Sequence, residues 1–323
     1  MSILTRESDT IKTLSANTFG SAHPRSLWQD AWIRLKRNRA AMVSLGLILA
    51  LFVVAILAPW IAPYPYDKVD FGAITKPPSA KHWLGTDSLG RDVLSRLMYG
   101  ARVSLSVSIV AQIVILLIGV PIGLISAFYG GWTDTLIQRG VDILYAFPSL
   151  LFIIVVVTYL KAVLKSGSGP LVSTLADINQ ATGGLMGVFI ALALIFWLTV
   201  ARLVRGEVLS LKSKEFIEAA YSIGAPGHRI MLRHILPNTL APIVVAATFA
   251  IPVAITLEAG LSFLGLGVEP PVPSWGIMIA EGVTNIRSYP HLLLASGAVL
   301  SITLLAFNFL GDGLRDALDP RIK

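Results

Sequence analysis

The side chains that could carry chemistry in this sequence are few and scattered. The 323 residues include no Cys, which excludes a disulfide, a thiolate metal site and a cysteine nucleophile. No Gly-Lys-Ser/Thr phosphate-binding loop occurs. The five histidines have no carboxylate or second His at ligand spacing; they are His23, His82, His228, His234 and His291. We therefore predict that the chain is not an enzyme, that it has no catalytic residues and no metal site, and that no cofactor binds to it.

Acidic groups that could relay ions or protons are also scarce. Ion and proton carriers keep an ionisable side chain inside the bilayer, facing a cavity. Here only Asp142 and Glu258 stand close to long apolar runs, and each stands at the end of its run. We interpret Glu258 as an interfacial residue, with a gate or a salt bridge to a partner as the alternative. Transport by this chain would need energy from another polypeptide.

The elements that must position these residues are membrane helices. Residues of the apolar and aromatic types make up 54% of the chain, charged residues only 14%, and the mean hydropathy is +0.72, whereas soluble domains carry about 25% charged residues. A soluble bundle of six core helices is a poor alternative, because such helices keep a polar face. A transmembrane helix needs about 20 mostly apolar residues. The sequence predicts an all-α integral membrane protein with six transmembrane helices, at about 41–62, 103–129, 141–161, 185–204, 239–260 and 291–311.

The distribution of cations predicts the orientation. The net charge is +7, and with a cytoplasmic N-terminus the inside segments hold 17 Lys and Arg against 9 outside, as the positive-inside rule requires. Both termini are then cytoplasmic, with 1–39 as a cytoplasmic segment and 40–323 as the membrane domain. The basic residues are expected to face an anionic inner leaflet and not nucleic acid.

Two features of the outer side follow from local patterns. Thr86-Asp87-Ser88 resembles a capped helix start, and the following apolar spacing predicts an amphipathic segment at the outer surface before the second span. Residues 162–184 are expected to form an outer loop. Several helix-breaking residues stand inside the predicted spans: Gly119, Pro121, Gly123, Pro148 and Pro252. They are either part of the ordinary Gly and Pro content of membrane helices or residues that line a transport pathway.

The long cytoplasmic loop 202–237, between spans four and five, carries the most specific pattern. Ser213 is a predicted helix cap, Gly224 with Pro226 ends the helix, and Pro237 starts a new direction at the fifth span. Such a helix could dock into a groove on a partner, or simply pack on its own loop. Its predicted apolar face comprises Phe216, Ala219, Ala220 and Ile223.

The motif in this loop resembles the Glu-Ala-Ala loop of the membrane subunits of binding-protein-dependent ABC importers. It consists of Glu218-Ala219-Ala220, three further residues, Gly224, and then Leu236-Pro237. Other stretches resemble the dipeptide/oligopeptide permeases of the C type, a branch that also includes nickel permeases. The resemblance runs from about residue 28 to the end, and these stretches are 84–96, 99–105, 258–267, 271–276 and 310–321.

The resemblance implies a permease subunit of an ATP-driven importer in the bacterial inner membrane. Such a subunit forms half of a pathway for di- or oligopeptides that works by alternating access. Its expected partners are a second, homologous permease, two cytoplasmic ATPases that bind ATP and Mg, and an extracytoplasmic solute-binding protein. The coupling contact to the ATPase would be formed by Glu218, Ala219, Ala220 and Gly224, with Leu236 and Pro237 anchoring the return to the membrane.

Three alternatives remain open from the residues alone. Within the same family, the cargo could be nickel or another small solute. An ion-coupled secondary transporter would need intramembrane acids that the spans lack, and a scaffold protein would not need a Glu-Ala-Ala helix. The sequence does not indicate which residues line the pathway. The near absence of charge in the spans suggests that a peptide with charged termini is not trapped on its way.

Overall fold

The computed structural model describes residues 27–166 and 169–319, and its regular structure there is almost entirely helical. Six helical stretches are long and apolar enough to cross a bilayer, so the prediction of an all-α protein with six spans is confirmed. The helices are α1 Leu27–Arg37, α2 Arg39–Ile61, α3 Val93–Tyr129, α4 Gly131–Tyr145, α5 Ser149–Ser166, α6 Pro170–Ala181, α7 Met186–Lys212, α8 Glu215–Ser222, α9 Gly227–Ile230, α10 Leu236–Phe263, α11 Trp275–Thr284 and α12 Pro290–Leu318. The spans are α2, α3, α5, α7, the stretch Gly227–Phe263 that contains α9 and α10, and α12.

The structure divides the third predicted span into two helices. One helix ends at Tyr145 and the next begins at Ser149, because Pro148 has no N–H to continue the first helix but is tolerated at the start of the second. The spanning part is therefore Ser149–Ser166. The expected outer loop 162–184 also contains a helix, α6.

Among the described residues, α3 and α7 form the most extensive helix–helix contact, and two glycines make their close approach possible. A Cβ on Gly119 would lie 2.8 Å from the carbonyl oxygen of Trp197, and one on Gly123 would lie 2.5 Å from that of Ala201. Glycines four residues apart share one helix face and let two membrane helices pack backbone to backbone. For Gly119 and Gly123 this packing favours the first alternative, the ordinary glycine content of membrane helices.

The helix ends sort into two groups at opposite ends of the bundle. The backbone N–H of Tyr64, just after α2, donates to the Ser95 hydroxyl in the first turn of α3 at 3.1 Å. The end of α12 packs against the start of α2, where the Ala41 methyl leaves no room for a side chain on Gly313. Segment 62–92 therefore lies at the loop end of the bundle, with α11. The beginning of α2 and the ends of α3 and α12 lie opposite, at what we call the coupling end.

Candidate coupling site

Helix α8 is attached to the coupling end by two apolar side chains. Ile217 and Ala220, three residues apart on one helix face, are buried in the main apolar core. That core also contains Val204 and Val208 of α7. The predicted face correctly included apolar positions but omitted Ile217 and grouped Ala220 with residues that point away. The spacing of Ile217 from Ala220 was the signal that could have found this anchor.

The opposite face of α8 is apolar and exposed. Phe216 and Tyr221 are about half exposed, and Ile223, the residue after the helix, is 85% exposed. Glu218 and Ala219 are also exposed. Exposed large apolar side chains next to polar ones mark a candidate interaction site. We call these five residues the docking face.

The N-terminus of α8 differs from the prediction that Ser213 caps it. The Ser213 hydroxyl donates instead to the Ser210 carbonyl oxygen at 3.1 Å, and Lys214, with an extended backbone, is the N-cap residue. The prediction is wrong because the preceding helix ends immediately before, and its last turn takes the hydroxyl. Glu215 and Glu218 in the first turn of α8 place negative charge where the helix dipole favours it.

The C-terminus of α8 confirms Gly224 as the residue that ends the helix. Gly224 has φ +77°, its N–H donates to the Tyr221 carbonyl at 2.9 Å, and the N–H of Ala225 donates to the Ala220 carbonyl at 3.1 Å. This pair of bonds is a Schellman motif, in which Gly is favoured for its left-handed conformation. A Cβ on Gly224 would meet no atom within 4 Å. Glycine is therefore favoured here by the left-handed backbone conformation and not by a lack of space for a side chain.

The return to the membrane is one helical stretch, Gly227–Phe263, and the prediction that Pro237 starts a new direction is wrong. A π turn occupies Met231–Ile235, immediately before Leu236 and Pro237. Such a turn holds one extra residue per turn. Pro237 falls in the first turn after it, where a missing N–H is tolerated.

The π turn also brings two isoleucines onto one buried face. Ile230 and Ile235 are five residues apart and both fully buried, which matches the wider turn. Leu236 is partly buried against the same core as Ala220, whereas Pro237 is exposed. The predicted residues therefore divide into an exposed group, on the docking face and at Gly224, and two core contacts, Ala220 and Leu236.

A lysine joins the end of α7 to the end of α3, next to α8. The ammonium of Lys212, the last residue of α7, donates to the carbonyl oxygens of Ala127 and Phe128 at 3.2 and 2.9 Å. These carbonyls belong to the last turn of α3, which lacks helical partners. At the start of α9, Gly227 packs so closely on the Phe128 ring that a Cβ there would lie 3.1 Å from a ring carbon.

An ion pair ties α4 to α7 at the same end. The guanidinium of Arg205 donates from Nε and Nη2 to the two carboxylate oxygens of Asp134, each at 2.6 Å. The Ser126 hydroxyl donates to the same carboxylate at 2.5 Å. The hydrogen bond from Arg205 is the main reason that the pKa of Asp134 lies below its ordinary value.

The loop end is built differently, around a buried cluster of charges. The Asp87 carboxylate accepts from Arg91 Nε at 2.7 Å and also from Arg96. Both arginines reach Glu281 of α11, Arg91 at 3.2 Å. Arg91, Arg96 and Asp87 are almost completely buried. The predicted amphipathic segment at the outer surface is therefore wrong, because its polar side is covered by α11 and the helix continues directly into the membrane.

The start of that helix is also displaced from the prediction. Asp92 is the N-cap of α3, and its carboxylate accepts from the backbone N–H of Ser95 at 2.8 Å. The other oxygen of Asp92 lies 2.9 Å from Nδ1 of His82. Thr86 and Asp87 instead fold into the preceding loop, where the Asp87 carboxylate holds the N–H groups of Leu89 and Arg91.

Glu258 is a buried residue, so its interpretation as an interfacial group is wrong. It is fully buried near the end of α10, and its carboxylate accepts from Ser104 of α3 at 2.9 Å and from Ser262 at 2.7 Å. The Ser274 hydroxyl is 3.2 Å from that of Ser262, and Trp275 donates from its indole to a carbonyl of α3. Glu258 thus joins three segments through hydroxyl groups, and a salt bridge is not among its contacts in the described residues.

Two known families match most of the chain. Residues 119–323 match the family described as "Binding-protein-dependent transport system inner membrane component". Residues 26–78 match a second family, the "N-terminal TM domain of oligopeptide transport permease C". The first match contains α8 and all of the coupling residues that the sequence predicted.

Individual proteins extend this similarity over nearly the full length. The chain is 41% identical to the oligopeptide transport system permease protein OppC of Bacillus subtilis, over 92% of this chain and 91% of the relative. It is 44% identical to the glutathione transport system permease protein GsiD of Escherichia coli (93% and 92%) and 39% identical to the dipeptide transport system permease protein DppC of B. subtilis (98% and 90%).

Among solved structures, the MetNI methionine ABC transporter in an inward-facing conformation matches with a TM-score of 0.51. The identity is 16%, and the match covers 68% of this chain and 94% of that one. At this identity the likeness concerns the fold alone.

Proposed function

The chain belongs to the family of binding-protein-dependent transport system inner membrane components, and we propose that it is one of two permease subunits of an ATP-driven peptide importer. Its relatives are permease subunits of transport systems named for oligopeptides, dipeptides and glutathione. All three names denote short peptides or a molecule built like one. We therefore assign di- and oligopeptides as the cargo.

The observation that carries the proposal is the two-sided construction of α8. Its inner side is fixed by Ile217 and Ala220 to the core that α7 also enters, and its outer side presents the docking face. A groove on an ATPase subunit would cover Phe216, Ala219 and Ile223, with Glu218 at the edge of the contact. Gly224 shapes the end of the helix, and Leu236 and Pro237 stand where the chain re-enters the membrane.

Movement of a docked ATPase would reach the membrane through three connections. Two residues separate α7 from α8, and four residues separate α8 from α9. Lys212 bonds to the last carbonyls of α3, so the ends of α3, α7 and the Gly227–Phe263 stretch all meet at α8. A rigid shift of α8 would therefore tilt three spans together, as alternating access requires.

The remaining parts of the importer lie on other subunits. We propose that ATP and Mg bind to two cytoplasmic ATPases, that a second, homologous permease completes the pathway, and that an extracytoplasmic protein delivers the peptide. The coupling end then faces the cytoplasm, together with residues 1–39 and the C-terminus, and residues 40–323 form the permease domain. The loop end, with its internally paired charges, faces outward towards the binding protein.

The test is reconstitution with a graded change on the docking face. The chain, its partner permease, the ATPases and the binding protein are placed in proteoliposomes, and uptake of a labelled peptide and ATP hydrolysis are measured. We expect ATP-dependent uptake by the wild-type complex, its retention with Ala219→Ser, and its loss with Ala219→Trp, because the larger ring cannot enter a groove shaped for a small residue. Uptake that follows an ion gradient without ATP would contradict the proposal.

A further inference from the structure

Gln112 is a buried polar side chain that nothing in its surroundings explains. It lies in the middle of α3, is only 5% exposed, and its amide nitrogen and oxygen are covered by neighbouring atoms and have no hydrogen-bond partner among the described residues. An unpaired buried polar group destabilises the folded protein, and a membrane interior offers no water to replace the partner. Polar residues inside membrane segments that are not paired structurally are candidates for function.

A cavity lies beside this side chain. It has a volume of about 110 Å³ and is enclosed by α3, α7 and α10. Thr199 and Val253 are exposed at the cavity, so it opens to the outside of the subunit. The hydroxyl of Thr199 is already bonded to the Tyr145 hydroxyl at 2.7 Å. The other side chains of the wall are apolar and include Ile115, Phe196, Val200, Ala250 and Ala254.

The position of the cavity suits a transport pathway. Gln112 stands 19 residues from the start of a 37-residue helix, roughly 28 Å along its axis, and thus near its middle. Two of the three walls, α7 and α10, belong to the helical stretches that flank α8 directly. A movement of α8 would therefore change the shape of this cavity more directly than that of any site at the loop end.

The chemistry of Gln112 suits a peptide group. A primary amide offers donor N–H groups and an acceptor oxygen, and a peptide group offers the complementary acceptor and donor whatever its side chains are. The apolar wall has room for one small apolar side chain. Because the amide is neutral, the contact is worth little more than an ordinary hydrogen bond, and it would guide a peptide without trapping it.

We propose that this cavity is a peptide subsite of the translocation pathway, in which the Gln112 side chain turns towards the cavity and its amide bonds to a backbone peptide group of the passing substrate. This inference rests on the proposed function, because it names where the cargo of that importer touches this chain. Water or a side chain of the second permease could also reach the amide. Both are distinguished by the variant described next.

The variant Gln112→Leu separates a ligand contact from a structural one. Leucine is similar in volume and removes an amide that has no partner in the resting protein, so we expect the melting temperature of the complex to stay the same or rise. We expect the KM for peptide uptake to rise about 5- to 10-fold, the equivalent of one or two lost hydrogen bonds. Ile115→Leu, also at the cavity but already apolar, should leave the KM unchanged.

A methylated substrate adds a readout that a structural role would not change. Uptake is compared for a tripeptide and for the same tripeptide with its central peptide nitrogen methylated, which cannot donate. We expect Gln112→Leu to impair uptake of the ordinary tripeptide more than that of the methylated one, at least 3-fold in the ratio. The binding protein acts equally on both protein variants, so its own preference cancels in this comparison.

Several results would overturn the subsite. An unchanged KM in Gln112→Leu would do so, and so would an equal loss of uptake for both tripeptides. A lower melting temperature of Gln112→Leu would assign the amide to a bound water, and a weaker association of the two permeases would assign it to the partner permease. In each case a wild-type complex that imports peptide leaves the proposed function intact. A wild-type complex that imports no peptide contradicts the proposed function and the subsite with it.

Discussion

The two ends of this bundle stabilise themselves by opposite means. At the loop end, Arg91 and Arg96 are buried with Asp87 and bonded to Glu281, so these charges are paired with one another within the chain. At the coupling end, the apolar side chains of the docking face are left uncovered. The loop end thus pairs its charges internally, whereas the coupling end leaves apolar side chains for the proposed ATPase to cover. Under the proposed function, the coupling end transmits force and the loop end holds the spans in place.

The largest expected effect comes from breaking the loop-end cluster. Arg96→Met removes the more deeply buried of the two cations that Asp87 and Glu281 share, and Arg91 alone then has to pair with both carboxylates. Removing one partner of a buried charge group costs about 3–5 kcal/mol, so we expect a clear fall in the melting temperature of the detergent-solubilised protein. The control is Arg102→Met, at an exposed arginine further along α3. It should change the free energy of unfolding by less than about 0.5 kcal/mol. Equal melting temperatures for the two variants would contradict the importance of the cluster.

The second effect is a loss of ATPase binding that leaves the stability of the subunit unchanged. Ile223→Glu places a charge on the docking face, where the side chain is 85% exposed, so the subunit itself should melt as before. We expect association with the ATPase to weaken by about 2 kcal/mol, the usual loss at an interface hot spot, or roughly 30-fold in affinity. Titration of the purified ATPase onto the permease pair in nanodiscs measures this. An unchanged affinity would show that the docking face lies elsewhere.

A smaller effect is expected where α8 ends. Gly224→Ala forces a residue with a Cβ into φ +77°, which costs about 1–2 kcal/mol, although no neighbouring atom obstructs the methyl group. The strain should loosen the end of α8 and slow ATP-driven uptake, while the binding of peptide to the extracytoplasmic protein stays the same. Gly206→Ala, at an exposed helical glycine with open space around it, should have no such effect. Hydrogen exchange over residues 215–225 detects the loosening.

The smallest effect depends on pH. The pKa of Asp134 is lowered from its ordinary value of 3.8, chiefly by the hydrogen bond from Arg205. The pair therefore contributes stability that is fully present above pH 3.8 and is lost as the pH falls through the lowered pKa. Because both side chains are partly exposed, the contribution is at most about 1 kcal/mol.

The variant Asp134→Asn isolates this contribution. Wild type should be more stable than Asp134→Asn at pH 6, and the two should converge as the pH falls below 3.8. Melting curves of both proteins at several pH values provide the difference, in which all other carboxyl groups cancel. A difference that stays constant down to low pH would mean that the ion pair does not form in solution.

The sequence predicted the spans and the end of α8 well because both depend on short-range patterns. Six long apolar runs that are nearly free of charge are required by the bilayer alone, and Gly224 ends α8 through a local backbone conformation. The direction of the α8 side chains was less predictable. Its amphipathic face is narrow, and only the packing of Ile217 against α7 decides which apolar side chains point inward.

Two of the errors concern residues whose partners are distant in the sequence. Glu258 was interpreted as interfacial because its bonding partner Ser104 lies 154 residues away, and Arg96 was expected at a surface because Glu281 lies 185 residues away. Local periodicity does not show such partners. The π turn at Met231–Ile235 was missed for a related reason, since it is needed only to keep Ile235 on the buried side.

The central claim is that the docking face of α8 binds the ATPase, and crosslinking tests it most directly. The chain contains no Cys, so Ile223→Cys creates a unique thiol that can carry a photoactivatable crosslinker in the assembled importer. Leu264→Cys, also exposed but at the loop end, is the matched control. We predict that Ile223→Cys crosslinks to the ATPase and that Leu264→Cys does not. Crosslinking from Leu264→Cys alone, or none from Ile223→Cys in a complex that transports peptide, would contradict the claim.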